Sequence, residues 1–283
     1  MALTARRRHA TRTILLDRAL EALPLFRLSD SADESAISYA PSTGGRWRVL
    51  PRPGDRIPGT FDQDVYMEIW HRYHEAGEPA DGVVSFTLHA FLRSMARRAD
   101  GRTYGQLRAA LARLQHTTLE SLGAYHDAAS ASVVDTSFTV LQAVKIERRR
   151  STDRDQLTFF PALAAAEPGE AVVTIAPQLR ANVAAGYTSS LSVQRYTALS
   201  SPVARRIYRL VEVARSEGNV TWRVALSQLA DQLPLTQRYP SHLLRVLQPA
   251  HEMLISAGLL RNAVVRQQMR EWFVDYVLAT RSA

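Results

Sequence analysis

The side chains best suited to chemistry in this sequence are arginines and amides that fall on two stretches at helical spacing. Arg238, Ser241, Arg245 and Gln248, with Glu252 one turn further on, recur every three or four positions. Such spacing puts side chains on one helical face. Arginine and glutamine pair bidentately with guanine and adenine edges, so this face suits base readout in duplex DNA. A second stretch carries Arg102, Arg108, Arg113 and His116 around the small residues Gly105, Ala109 and Ala112. Small side chains edged by arginine suit close approach to a phosphate backbone, a contact that positions without reading sequence. Lys145, Arg148, Arg149 and Arg150 form a third basic group, interspersed with Glu147, Asp153 and Asp155, and Arg266 and Arg270 flank a fourth segment. A basic hairpin tip is a natural phosphate clamp. The competing reading of each group is an ordinary solvated surface.

Other chemistry finds less support. His71 and His74 stand at i,i+3, a spacing that can ligate a metal, but no third ligand is placed beside them. Asp62, Asp64 and Glu68 could hold a nuclease metal; acids in a helix's first turn have a simpler cause in the helix dipole. There is no phosphate-binding glycine loop, and Gly44-Gly45 reads as a turn. Nothing assembles a nucleophile, a base and an oxyanion hole. No catalytic residue, cofactor or metal is therefore assigned. The chain has no cysteine, which excludes disulfides and thiolate chemistry and fits a reducing cytoplasm. No apolar run reaches the ~20 residues of a membrane span, and Arg6-Arg7-Arg8 is not followed by an apolar signal core. A cytoplasmic, nucleoid-associated protein is expected. The net charge of +8, carried by arginine with Lys145 as the single lysine, points to a polyanionic partner.

The elements that must position these groups show a repeat. Tyr104–Leu119 and Pro240–Ile255 share an apolar pattern, with Leu107, Leu111 and Leu114 falling over Leu243, Leu247 and Ala250. Each follows a shorter apolar helix and precedes strand-like sequence. In the first copy, Asp62 is expected to cap a helix to Glu75 with Val65, Ile69 and Tyr73 buried. Thr87 or Ser85 caps a second helix, and Thr103 a third. Val133–Leu141 and Leu157–Phe160 are expected to form the following hairpin. In the second copy, the strand Ala171–Ile175 opens the domain, Ser201-Pro202 starts a strong helix, and Leu259–Val265 and Trp272–Leu278 form a second hairpin. Arg205, Arg206 and Arg209 on that strong helix are free either to touch phosphate or to cover the surface with Glu212. Helix, helix, helix, hairpin is the winged-helix order. The fold class is α+β: two tandem winged-helix domains, 61–160 and 171–283, behind an irregular N-terminal extension, 1–60, rich in turn formers. Pro249 inside the second recognition helix is expected to end or kink it near Gln248.

Three segments then resemble a known family: Thr60-Phe-Asp-Gln-Asp-Val65; Tyr104 with Leu107, Ala110-Leu111, Arg113-Leu114 and Thr117-Thr118; and Ser201-Pro-Val-Ala-Arg-Arg-Ile-Tyr208. In this order they look like the replication initiator protein A family of plasmids and secondary replicons, from about residue 60 onward. The resemblance implies a non-enzymatic protein that binds repeated double-stranded sites at a replication origin, promotes strand opening and recruits host replication factors. It also implies dimerisation through the first winged helix. Alternatives are a winged-helix transcriptional regulator, a metal-dependent nuclease or recombination enzyme using His71, His74 and Asp64, and an architectural DNA-repair protein.

Overall fold

The computed structural model describes residues 13–28, 35–147 and 170–280. The chain opens with β1 (Thr13–Asp17) and α1 (Arg18–Ala22), then β2 (Ile37–Tyr39) and β3 (Arg46–Leu50). This stretch is more ordered than the irregular extension its turn formers suggest. Strand β1 pairs antiparallel with β9 (Thr188–Ser192), and Ile14, Leu16, Leu20, Leu23, Leu25 and Phe26 are buried. The expected hairpin of β2 and β3 is present, with Ile37 opposite Val49 and Tyr39 opposite Trp47. Gly45 in its turn has a positive φ, and a Cβ there would collide with the backbone of Leu122 and Gly123, so only glycine fits. Trp47 is fully buried and its indole N–H donates to the Pro24 carbonyl at 2.8 Å, as a buried indole requires.

The first unit begins with α2 (Thr60–Glu75), whose buried stripe includes Val65, Ile69 and Tyr73. Asp62 stands inside the first turn rather than at the cap, and accepts the Gly59 N–H at 2.6 Å. Next come β4 (Val83–Thr87) and α3 (Leu88–Ser94), capped by Thr87 Oγ1 on the Ala90 N–H. Helix α4 (Gly101–His116) is capped by Asp100, which accepts the Thr103 N–H at 2.9 Å; Thr103 is thus the capped residue, not the cap. Leu107, Ala110, Leu111 and Leu114 form its buried face. Strands β5 (Thr118–Asp127) and β6 (Ser132–Phe138) pair with each other and extend the hairpin into a four-stranded sheet, β2-β3-β5-β6. β7 (Leu141–Glu147) and β8 (Glu170–Ile175) join β4 in a separate sheet, order β4-β8-β7.

Two sequence expectations are corrected here. Ala171–Ile175 does not open the second unit: it is the central strand of the first unit's sheet, antiparallel to both β4 and β7, with Ala171, Val173 and Ile175 buried. Val133–Phe138 belongs to β6 of the other sheet, so β7 supplies the strand expected from that run. Leu157–Phe160 lies outside the described residues.

Helix α5 (Pro177–Ala184), β9 and α6 (Val193–Ala198) lead to the second unit. It comprises α7 (Pro202–Ser216), β10 (Thr221–Ala225), α8 (Leu226–Gln232), α9 (Pro240–Ser256), β11 (Leu260–Gln268) and β12 (Glu271–Leu278), with sheet order β10-β12-β11. With β5 and β6, which belong to the other sheet, set aside, both units run helix, strand, helix, helix, strand, strand, and the last strand is central in its three-stranded sheet. Ser201 Oγ accepts the Ala204 N–H and Pro202 occupies the first turn of α7. Helix α9 does not stop at Pro249; it continues to Ser256 and ends where Gly258 takes φ +66° and the Leu259 N–H reaches back to the Leu254 carbonyl at 2.9 Å.

Asp17 ties three elements together. Its carboxyl accepts from Tyr125 Oη (2.6 Å) on β5, Asn182 Nδ2 (2.9 Å) on α5 and the Ala19 N–H (3.0 Å) on α1. Burial pushes this carboxyl up to about 7, against the lowering effect of those donors. The folded state thus holds a proton that the unfolded chain releases near its ordinary value of 3.8. Asp17's contribution to stability is complete below that value and is lost as pH rises through about 7. The urea midpoint of the wild-type protein is expected to fall between pH 4 and 7.5 relative to that of Asp17→Asn, a comparison in which the opposite contribution of buried His251 cancels. Equal slopes in the two proteins would remove Asp17 as the cause.

Candidate nucleic-acid interface

Helix α9 turns Leu243, Leu247, Ala250 and Leu254 inward and leaves Ser241, Arg245, Gln248 and Glu252 exposed. Three of the four predicted readers therefore share the outer face of one helix. The fourth, Arg238, precedes the helix and is exposed, but its guanidinium holds Asp231 on α8 at 2.6 Å. Gln248 donates to Glu252 Oε1 at 3.1 Å, which pre-orients its amide. Arg245 has no ion-pair partner among the described residues, so its five donors stay available to a ligand. The inner face is fixed by His251, which shares a 2.8 Å hydrogen bond with Tyr276 on β12. Burial lowers the His251 imidazole to about 4, so it is neutral near pH 7 and the anchor carries no charge.

Two exposed side chains at the start of α9 were missed from sequence. Tyr239 and His242 lie together, ring centroids 5.8 Å apart, at the end of the helix where Ser241 projects. Their i,i+3 spacing on the same wheel was the available signal. Both can stack on or bond to a nucleic acid.

On α4, Arg102, Gly105, Ala109 and His116 are exposed, and Arg108 and Ala112 half-buried. Arg113 is a correction. It is buried, and its guanidinium forks onto Asp62, Nε to Oδ2 at 3.0 Å and Nη2 to Oδ1 at 2.7 Å. Burial and the bidentate Asp62 carboxylate neutralise the charge that a phosphate contact would need. In the first hairpin Lys145 is exposed and bonded to Glu147 at 2.7 Å; Arg148, Arg149 and Arg150 lie outside the described residues. In the second, Arg266 and Arg270 are both exposed, and Asp275 faces Arg266 at 3.7 Å.

Arg205, Arg206 and Arg209 of α7 are turned to acids of the preceding elements rather than to phosphate, while Glu212 holds Arg215 of the same helix at 2.5 Å. Arg205 binds Asp64 at 2.6 Å; Arg206 and Arg209 are buried against Glu21 of α1. They join the second unit to the first. The candidate metal ligands are likewise committed to protein. His71 sits between Glu68 (3.4 Å) and Glu75 (3.3 Å), and His74 Nε2 lies 2.7 Å from the Leu15 carbonyl of β1. Asp64 is shared by Arg205, Arg97 and Tyr196. No helix among the described residues is long and apolar enough to cross a membrane.

This architecture has counterparts among solved structures. The chain is similar in fold to a selenomethionine form of domains 2 and 3 of RctB, at 14% identity and a TM-score of 0.52, covering 90% of this chain and 95% of that one. It is also similar to the Pi initiator protein, solved in complex with iteron DNA, at 10% identity and a TM-score of 0.52, covering 96% and 99%. No curated protein sequence matches it. At these identities the likeness establishes the paired winged-helix fold. The sequence itself goes further: residues 16–253 match the family model of replication initiator protein A, and the protein belongs to that family.

Proposed function

We propose that this replication initiator binds repeated duplex sites at an origin, with α9 reading bases from the major groove and α4 and the hairpins holding phosphates. The observation that carries this reading is the outer face of α9, where an unpaired Arg245 stands beside Gln248 on a helix packed firmly from behind. The net charge of +8 supplies the non-specific attraction, and the Pi initiator of similar fold was solved with iteron DNA. Arg102, Arg108 and His116 on α4, and Lys145, Arg266 and Arg270 on the hairpins, are the positioning contacts. Binding in this scheme needs no catalysis. Opening comes from several bound copies straining an A·T-rich segment, host replication factors enter at the opened strand, and copies associate through the first unit. Binding of this kind places the protein on the nucleoid.

Footprinting on the DNA flanking its gene, with random DNA as control, tests the reading. Protection of evenly spaced direct repeats is expected; one protected palindrome would indicate a promoter-binding regulator. On a protected repeat, Arg245→Ala is expected to weaken binding by about 1–3 kcal/mol and to relax base preference. Equal weakening on random DNA would remove α9 from base readout.

A further inference from the structure

We infer that Met269, at the tip of the β11–β12 hairpin, is an apolar wedge that enters the minor groove of the bound duplex and unstacks a base step there. This rests on the reading of α9 as a major-groove helix. The hairpin closes through only two residues, Met269 and Arg270, between the paired Gln268 and Glu271. Met269 holds φ +57°. Two-residue turns that need a positive φ draw glycine, asparagine or aspartate, because a Cβ is strained there and a short polar side chain can bond locally. Methionine offers neither relief. Nor does burial repay the strain, since Met269 is 93% exposed, ahead of Val220 at 74% and Tyr239 at 72%. Neither the turn nor the core accounts for a long apolar side chain at this point; a contact outside the chain does.

The surroundings select the occupant. Arg266 and Arg270 flank the tip and are exposed, and Gln267 and Gln268 add amides that can meet base edges. Two acids lie near. Glu271 follows the turn, and Asp275 faces both Arg223 and Arg266 at 3.7 Å, which offsets its charge. Cationic flanks around one apolar tip fit a groove walled by phosphates better than a protein or lipid surface. The geometry favours the minor groove. A helix fills the major groove, about 12 Å wide, and a hairpin beside that helix reaches the neighbouring minor groove, about 6 Å wide, where an unbranched side chain can enter. Apolar wedges of this kind part base steps and kink the duplex. Each bound copy then kinks the duplex at the step its second hairpin touches, and several such kinks add to the strain on the A·T-rich segment.

The test uses the full chain and a duplex of about 30 base pairs carrying a footprinted repeat, with 2-aminopurine substituted in turn at adenines beside it. The wild-type protein is expected to raise fluorescence at one step. Met269→Gly relieves the positive φ, so its thermal midpoint is expected to hold or rise, while affinity falls about fivefold to tenfold and the fluorescence rise disappears. Met269→Leu is expected to keep most of both. Opposite movement of stability and binding is a result that a merely structural role cannot produce. Met269→Gly with wild-type affinity and fluorescence overturns the wedge. Arg245→Ala separates the two readings. If it loses repeat preference while Met269→Gly changes nothing, only the wedge falls; if the wild-type protein does not prefer the repeat, both fall.

Discussion

Arg209→Met is expected to destabilise the folded protein by about 3–5 kcal/mol, the range for stranding one partner of a buried ion pair. Arg209 is 1% exposed and forks onto Glu21, Nε to Oε2 at 2.5 Å and Nη2 to Oε1 at 2.7 Å, with Nη1 on Gln63 at 3.2 Å. Its guanidinium also lies over the rings of Phe26 and Tyr66, 5.3 and 5.2 Å from their centroids. Burial by itself lowers the Arg209 pKa, but the Glu21 carboxylate outweighs it and the guanidinium stays charged. Arg206 cannot take over. Burial and the neighbouring Arg209 lower its pKa to about 9, it is 4.0 Å from the carboxylate, and its Nη donors already serve the Glu21 and Leu23 carbonyls at 2.8 Å. Urea unfolding reads the loss. Adding Glu21→Leu to Arg209→Met is expected to recover little of it, since it also removes the carboxylate facing the buried Arg206 and the acceptor of the Tyr66 hydroxyl. A loss below about 1 kcal/mol in the single variant would mean that water reaches Glu21 and the pair is not buried in solution.

Arg113→Met is expected to cost a similar ~3–5 kcal/mol for the same reason. Asp62 is 0% exposed and would keep only the Gly59 N–H. The sequence alone offered Arg113 as a DNA contact, and one experiment separates the roles. A phosphate ligand contributes about one unit to the slope of log affinity against log salt. At a temperature where the variant remains folded, the slope is expected to be unchanged while the urea midpoint falls. A slope reduced by about one with an unchanged midpoint would restore Arg113 to the DNA surface.

The contrast between Arg113 and Arg245 marks where sequence reasoning stopped. Both sit on leucine-striped helices that periodicity locates well, because each stripe is bounded by local signals: Asp100 before α4, Pro240 and Gly258 around α9. Which arginine is free depends on an acid 51 positions away in one case and on its absence in the other. Long-range pairing leaves no such local mark. The alternation of β8 is the same whichever sheet receives it, so its membership of the first unit was not legible, and neither was the pairing of β1 with β9. One clue was present. Asp17 and Glu21 stand four apart in a run from Ile14 to Leu28 that is apolar apart from them and Arg18 and Arg27, a spacing that puts two acids on one face among leucines and calls for distant partners. Those partners are Tyr125, Asn182 and Arg209.

The pairing of β1 with β9 also bears on how the chain is made. Ile14 and Leu16 of β1 leave the ribosome well before the strand that completes their sheet, Thr188–Ser192, which follows more than 150 residues later. At about 5–20 residues per second, an apolar segment waits roughly ten to thirty seconds for its partner. Over that interval Ile14 and Leu16 lack the strand that pairs with theirs, and an unpaired apolar edge of this kind favours aggregation.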